Sequence, residues 1–443
     1  MAIGFRINFE TFDLENRDVV LSKAAILEDM LTAPNNCLDF SIIYEKQIEI
    51  MSKLLDQIIA AKVSLLNEDL KLCPKCKGEM IKIGKNRSTF HDVLTDHTVA
   101  IQRYRCKQCR YEPPSTIRDI LGVVQSGQLS KIQAELGAEH TFRETENIFK
   151  KFCGKNRGID NRTRVKETVA KIGRILEKET EEAKKIMSIP EAKELVLNVD
   201  GGHIKTTEDQ QSIEALTSVV YRPESLELNA KGTRNILMDK SCAASVKDDN
   251  QKEIISQTIL AAIKQGLTPN THITALCDGA TNCWNVVDAL KPLSKSVTYI
   301  LDWFHVSMKM KNIALPKEIK PKFLRVKWHL WRGNVPLALK RLNELVDSIS
   351  EPKAKEKIEK FINYIKSNTD KIINYRKRKN NKKVFTSHLA EATVESLINV
   401  RCKGKQHMRW SREGLNPLLQ IRARIHTNEW DDQWREAVLQ MAI

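Results

Sequence analysis

ELVLNVDGG (194–202), THITALCDG (271–279) and VTYILD (297–302) are the stretches that decide the fold. In the first, an apolar run from Leu195 to Val199 stops at Asp200 and is followed by Gly201-Gly202. A short apolar run bounded by a turn signal reads as a buried strand. The second has the same form, ending on Asp278 with Gly279-Ala280 behind it, and the third ends on Asp302. Between them, ALTSVVY (215–221) and SCAASVK (241–247) read as two further strands. QKEIISQTILAAIKQG (251–266) and TNCWNVVDAL (281–290) read as helices. The order is therefore β-β-β-α-β-α-β. Three sequential strands predict an antiparallel meander, and the later alternation predicts parallel crossover units. The fold class is α/β.

The acids matter because of where this order puts them. If the first strand is central and the fourth lies beside it, Asp200 and Asp278 face one another. An acid at the end of a buried strand, with no side chain behind it, leaves room for a hard cation with oxygen ligands. Two like charges that close destabilise the fold unless a cation neutralises them. A third acid is expected from a later helix, where Glu391 and Glu395 sit at i and i+4 on one face. Two metal ions about 3.5–4 Å apart suit displacement at phosphorus.

The surroundings agree with a polyanionic partner. The chain has 443 residues and a formal net charge of +16, a surplus that favours nucleic acid or an anionic surface. No apolar run is long enough to span a bilayer, and the N-terminus has no signal-like apolar segment. The expectation is a cytoplasmic protein without a membrane partner. Of the ten cysteines, Cys73, Cys76, Cys106 and Cys109 form two CxxC knuckles around strand-like sequence. This is the pattern of a Zn²⁺ ribbon. Lys75, Lys77, Arg103, Arg105, Lys107 and Arg110 crowd the knuckles.

Four regions follow. Residues 1–70 read as helical, on the strength of the stripe in 46–72. Residues 71–115 form the ribbon. Residues 116–187 are helical, with TFRETENIFKKF and IDNRTRVKETVAKIG as a candidate helix-turn-helix, or an ordinary helical hairpin with a solvated face. Thr141 and Glu144 are placed to form a capping box. Asn161, Arg162, Arg164, Lys166 and Lys171 lie on the second helix. Residues 188–443 carry the α/β core, with an all-helical insertion over about 306–386.

At this point the residues resemble a known family. NVDGG (198–202), CDGATNCW (277–284), ILDWFHV (300–306), TVESLINVRCKGKQHMRW (393–410) and LLQIRA (418–423) look like the insertion-sequence transposases of the ISKra type, relatives of the Mutator-like superfamily. The resemblance covers 190–425, and that family also carries a CxxC ribbon. It implies an RNase H-like catalytic core of DDE type, with Asp200, Asp278 and Glu395 as ligands of Mg²⁺ or Mn²⁺. It favours Glu395 over Glu391. A D-x-x-H signature is matched by Asp302 and His305 and implies a supporting role. Asp302 as second metal ligand is the alternative. The glycine-rich turn that the family places before its VES phrase reads Ser387-His388-Leu389-Ala390-Glu391-Ala392 here.

Basic side chains flank the glutamate: Arg376 and Arg378 before it, Arg401, Lys403 and Arg409 after it. Such groups bind phosphates without reading sequence. Trp410, Trp328 and Trp331 read more simply as core residues than as platforms for an unpaired base. The expectation is a nucleoid-associated transposase, homo-oligomeric on DNA, that cuts element ends and joins them to a target. Its rivals are a repurposed, non-catalytic DNA-binding relative and another nuclease on the same core.

Overall fold

The computed structural model describes residues 3–37, 39–67, 70–153, 155–182, 189–228, 235–403 and 408–442. The chain divides into two compact units, Met1–Ile172 with Gln433–Ile443, and Gly173–Asp432.

The first unit corrects the expectation of an all-helical start. Residues 3–31 form an antiparallel hairpin of β1 (Ile3–Phe12) and β2 (Val20–Leu31). The period-2 pattern of IGFRINFETF explains it: Arg6, Asn8 and Glu10 share one face. On that face Arg6 pairs with Glu28, and Lys23 with Glu10. The expected helix follows as α1 (Tyr44–Leu66). Its Val63 packs with Val99, Ile101 and Ile117. The ribbon is β3 (Met80–His91) against β4 (Asp96–Cys106), with a bulge at Gly84.

Helices α2 (Ile117–Leu121), α3 (Gly127–Glu139), α4 (Phe142–Cys153) and α5 (Arg162–Glu182) follow. The capping box at α4 forms in both directions. Thr141 N donates to Glu144 Oε2 at 2.9 Å, and Glu144 N donates to Thr141 Oγ1 at 3.2 Å. The α4–α5 connection includes a 3₁₀ turn at Gly158–Asp160. It is longer than the three- or four-residue turn of a helix-turn-helix. Buried Arg157 ties this turn to the ribbon, donating to Asp160 Oδ2 at 2.6 Å and to the Asp92 carbonyl at 2.7 Å.

The second unit holds a five-stranded mixed sheet with helices packed on it. Its strands are β5 (Glu194–Lys205), β6 (Ser212–Tyr221), β9 (Ser241–Ser245), β10 (His272–Cys277) and β11 (Ser296–Leu301). A small hairpin intervenes between β6 and β9, made of β7 (Leu226–Leu228) and β8 (Asn235–Leu237). The spatial order is β11-β10-β5-β6-β9. β5, β6 and β9 are antiparallel, and β10 and β11 run parallel to β5. The first strand is thus central and the fourth lies beside it.

The crossovers are α6 (Lys252–Lys264) and α7 (Thr281–Leu290). A run of helices follows β11: α8 (Trp303–Asn312), α9 (Lys320–Arg325), α10 (Lys327–Trp331), α11 (Val335–Asp347), α12 (Pro352–Ser367) and α13 (Tyr375–Asn380). The chain then returns through α14 (His388–Val394), a π-helical turn at Glu395–Asn399, and α15 (Val400–Cys402). Next come α16 (Arg412–His426), packed against β9 and the π turn, and α17 (Trp430–Met441). Among the described residues no helix is long and apolar enough to cross a membrane.

Candidate active site and metal centre

Three parallel strands stand side by side, and β10 and β11 end at one level beside the middle of β5. Cys277 pairs with Val199 on one side and with Leu301 on the other. The next residues are Asp200, Asp278 and Asp302, so sheet register alone lines up three acids. Together with His305 and Ser387 they enclose a space of about 10 Å³.

Asp200 is placed differently from the sequence expectation. It does not end its strand: β5 continues through Gly201 and Gly202 to Lys205, paired with β6. The glycines make room for neighbours rather than leaving a cavity. A Cβ on Gly201 would stand 2.6 Å from Glu214 Oε1, and one on Gly202 would stand 3.0 Å from Lys403 Nζ. Burial pushes the Asp200 carboxyl up, the His305 imidazole pulls it down, and nearby Asp278 pushes it up again. That combination is a stored charge cost that a bound cation would remove.

Asp278 is held by its own turn and by the insertion. Its Oδ1 accepts from Ala280 N at 2.9 Å. Tyr364 of α12 donates its hydroxyl to the Asp278 carbonyl at 2.8 Å, and buried Asn368 reaches the Gly279 carbonyl at 3.4 Å. Gly279 has φ +100°, where only glycine is at ease.

Asp302 is fully buried and caps α8. Its oxygens accept from Ser387 N at 2.8 Å, Ser387 Oγ at 2.6 Å, Phe304 N at 3.2 Å, His305 N at 3.4 Å and His305 Nδ1 at 2.8 Å. Burial works to raise its pKa, and the bonds from His305 and Ser387 outweigh that, leaving it below the usual carboxylate range. With five donors on two oxygens, Asp302 is an anchor with little capacity left for a cation. An ionised carboxylate only accepts, so His305 Nδ1 carries the proton. Its Nε2 lies 3.9 Å from Asp200 Oδ1.

Glu395 stands apart. Ala390 and Val394 of the same helix line the enclosed space, whereas Glu395 is solvent-exposed and accepts from Asn399 Nδ2. The side chain of Glu391 lies outside the described residues. The π turn that carries Glu395 opens its carbonyls, and buried Arg422 of α16 takes two of them. Its Nε donates to Leu397 O at 2.7 Å and its Nη2 to Ser396 O. Turns of this kind are frequent at functional sites. Sequence reasoning missed Ser387, Tyr364, Asn368, Glu214 and Arg422. Two of them had a signal: Ser387 opens the turn before the VES phrase, and Arg422 lies in LLQIRA (418–423).

The basic residues sort by exposure. Arg162, Arg164, Lys166, Arg376, Lys403 and Arg409 are exposed, although Arg164 pairs with Glu167 at 2.9 Å. Arg378 is half-buried and donates to the Val384 carbonyl. Arg401 is a correction. It is 1% exposed and lies 5.1 Å from the Trp410 ring centre, a buried cation–π pair closed to phosphate. Trp410 itself is buried, and Trp331 sits among Trp303, Tyr375 and Phe385. Trp328 is 56% exposed.

The cysteines converge as expected. Sγ separations are 3.6 Å for Cys73–Cys109, 3.5 Å for Cys76–Cys106 and 3.4 Å for Cys76–Cys109. A zinc tetrahedron with bonds of about 2.3 Å has edges of ~3.8 Å. Each knuckle is closed by the same device, a left-handed residue after its second cysteine: Lys77 at φ +61° and Arg110 at φ +62°. The Cys109 amide, donating to Cys106 Sγ, pulls that thiol down to about 6. These four cysteines could hold a metal such as Zn²⁺. Among the described residues they are the one group of three or more His, Cys, Asp or Glu whose ligand atoms lie within 4.8 Å of one another. Asp200, Asp278 and Glu395 are not so gathered. Four of the six basic residues around the knuckles have partners inside the unit. Arg103 and Arg105 pair with Glu112, Lys107 pairs with Glu79, and Lys75 stands over Tyr111.

No curated protein matches the sequence. Residues 136–437 match the model of the uncharacterised protein family UPF0236, a stretch that runs from the last turn of α3 through α4, α5 and the whole carboxylate site, and the chain belongs to that family.

Proposed function

We propose that this protein is a DNA transposase of DDE type, cutting and joining DNA strands with Mg²⁺ or Mn²⁺. The observation that carries this reading is the register of β5, β10 and β11, which sets Asp200 and Asp278 side by side beside the Asp302–His305 pair. The strand order, with three antiparallel strands and two parallel to the first, is the arrangement expected of an RNase H-like core. The donor set suits a hard cation. Asp200 and Asp278 would hold it, with Glu395 completing the site. Such ions activate the attacking oxygen and stabilise the leaving oxygen of a phosphodiester.

The remaining work falls to the chain's own residues. Asp302 fixes the His305 tautomer, so that Nε2 faces the Asp200 carboxylate. Lys403, beside Gly202, sets an ammonium next to the strand that carries Asp200, where it can take a phosphate. The insertion fixes the Asp278 turn through Tyr364. Exposed Arg162, Arg164, Lys166, Arg376 and Arg409 supply sequence-independent affinity, the ribbon takes Zn²⁺, and pairing of two DNA ends calls for a homo-oligomer. Such a protein works in the cytoplasm, on the nucleoid.

One observation favours a second reading, a repurposed relative that binds DNA without cutting it. Glu395 is outside the enclosed space and bonded to Asn399. Nicking of end-containing DNA separates the two. The wild type should nick only with Mg²⁺ or Mn²⁺, and Asp200→Asn should lower the rate at least ~100-fold with DNA affinity retained. Cutting by Asp200→Asn at the wild-type rate would sink the catalytic reading, and metal-dependent cutting by the wild type alone would sink the second.

A further inference from the structure

A separate cleft of about 780 Å³ opens between the β7–β8 hairpin and residues 379–396. Lys240, Lys379, Lys382 and Lys383 line it, and among the described residues no Asp or Glu does. Four lysines lining one cleft raise a positive potential that suits a polyanion. The floor between them is apolar, formed by Leu237, Val384 and Phe385 among others. Phe385 is held by an edge contact with Trp331, ring centres 5.4 Å apart. A simple phosphate would gain nothing from that floor. A duplex would keep its bases stacked away from it. An unpaired strand offers both surfaces at once, phosphates for the lysines and base faces for the floor.

The position of the cleft gives this chemistry a use. Thr386, His388 and Ser396 face the cleft, while Ser387, Ala390 and Val394 line the space beside Asp200 and Asp278. One stretch of chain therefore forms the wall between them. A strand in the cleft passes along the far side of the helix that carries Glu395.

The geometry points to this cleft as the seat of single-stranded DNA adjoining the cleavage point. The inference rests on reading the carboxylate site as one that cuts DNA. The test uses the full chain and a labelled single-stranded oligonucleotide, followed by fluorescence anisotropy across a salt series, with a duplex of equal length in parallel. Lys379 and Lys382 are both exposed, so the double variant Lys379→Gln, Lys382→Gln should keep the wild-type Tm. It should bind the single strand at least ~10-fold more weakly, with a salt slope shallower by about 1.4. Duplex affinity should change less than twofold. Photo-crosslinking of a 5-bromouracil oligonucleotide should mark peptides within 379–396 or 235–240. Unchanged single-strand binding by the variant, or crosslinks confined to residues 3–172, would overturn the cleft whether or not the protein cuts DNA. Equal competition by inorganic polyphosphate would overturn it too, because the floor would then read no base. Loss of single-strand binding in the variant, with no cutting by the wild type, would keep the cleft and remove the catalytic reading.

Discussion

Asp302→Asn is the most informative single change, because the structure specifies every partner of that side chain. The amide keeps one oxygen and puts an NH₂ where the other was. Placed at the Oδ1 position, the NH₂ would face two backbone donors, Phe304 N and Ser387 N, and neither can adapt. Placed at Oδ2, it faces the Ser387 hydroxyl, His305 Nδ1 and the more distant His305 N. The hydroxyl can rotate to accept, and the imidazole can move its proton to Nε2. The amide therefore settles with its nitrogen at Oδ2. Two bonds to a charged acceptor become neutral ones, at about 1 kcal/mol each, and one buried N–H loses its partner, at ~1–3 kcal/mol. The total is about 3–5 kcal/mol. For a unit of this size each kcal/mol shifts Tm by about 2–4 °C, so a fall near 10 °C is expected by calorimetry. The pH dependence has a definite sign. A carboxylate held below its ordinary pKa contributes stability that is full above about pH 4 and is lost as pH falls through the lower folded value. Wild type and variant should therefore differ at neutral pH and converge under acid. The ¹⁵N shifts of His305 should report proton transfer from Nδ1 to Nε2. A Tm drop under ~3 °C with the tautomer unchanged would refute the view of Asp302 as the anchor of this site.

Two other perturbations separate the units. Cys76→Ser removes an exposed sulfur, so little packing is lost and the effect reads metal binding. Purified wild type should carry about one zinc per chain by elemental analysis, and Cys76→Ser should lose it together with the thermal stability of the ribbon. Equal zinc content in the two would exclude the four-thiolate site. Gly279→Ala combines a φ of +100° with a Cβ 2.8 Å from Tyr364 Cε2 and 2.9 Å from Leu301 Cδ1. It should cost more than ~2 kcal/mol in denaturant unfolding, and a loss below about 0.5 kcal/mol would mean that the Asp278 turn tolerates another path.

The sheet was legible because buried parallel strands announce themselves as apolar runs. The runs before Asp200, Asp278 and Asp302 have no competing reading, and the helix at Thr281–Leu290 falls where its periodicity puts it. The errors have local causes. Gly201-Gly202 reads as a turn, yet here the glycines serve close approach by Glu214 and Lys403, so the strand runs on. The hairpin at 3–31 was hidden by the strong helical stripe that follows it. β7 and β8 are three residues each, below what periodicity can register. Arg401 looked like a phosphate ligand because charge is visible in a sequence, whereas the Trp410 ring that covers it is not. Ser387 and Tyr364 meet Asp302 and Asp278 across more than eighty residues, and no spacing rule reaches that far.

The placement of Glu395 connects two sequence phrases that look unrelated. VES (394–396) leads into the π turn, and LLQIRA (418–423) contains Arg422. A π turn leaves carbonyls without their usual partners, and a buried carbonyl needs one. Arg422 supplies it, bonding Leu397 O and Ser396 O from α16. The second phrase therefore carries the clamp for the first. The entry to this helix is secured at its other end by Ser387, whose N–H and hydroxyl both bind Asp302. No residue from 386 to 392 takes a positive φ, so the backbone there has no need of glycine. The turn is held by a side chain instead. This anchor ties the helix carrying Glu395 to the buried carboxylate that also orients His305.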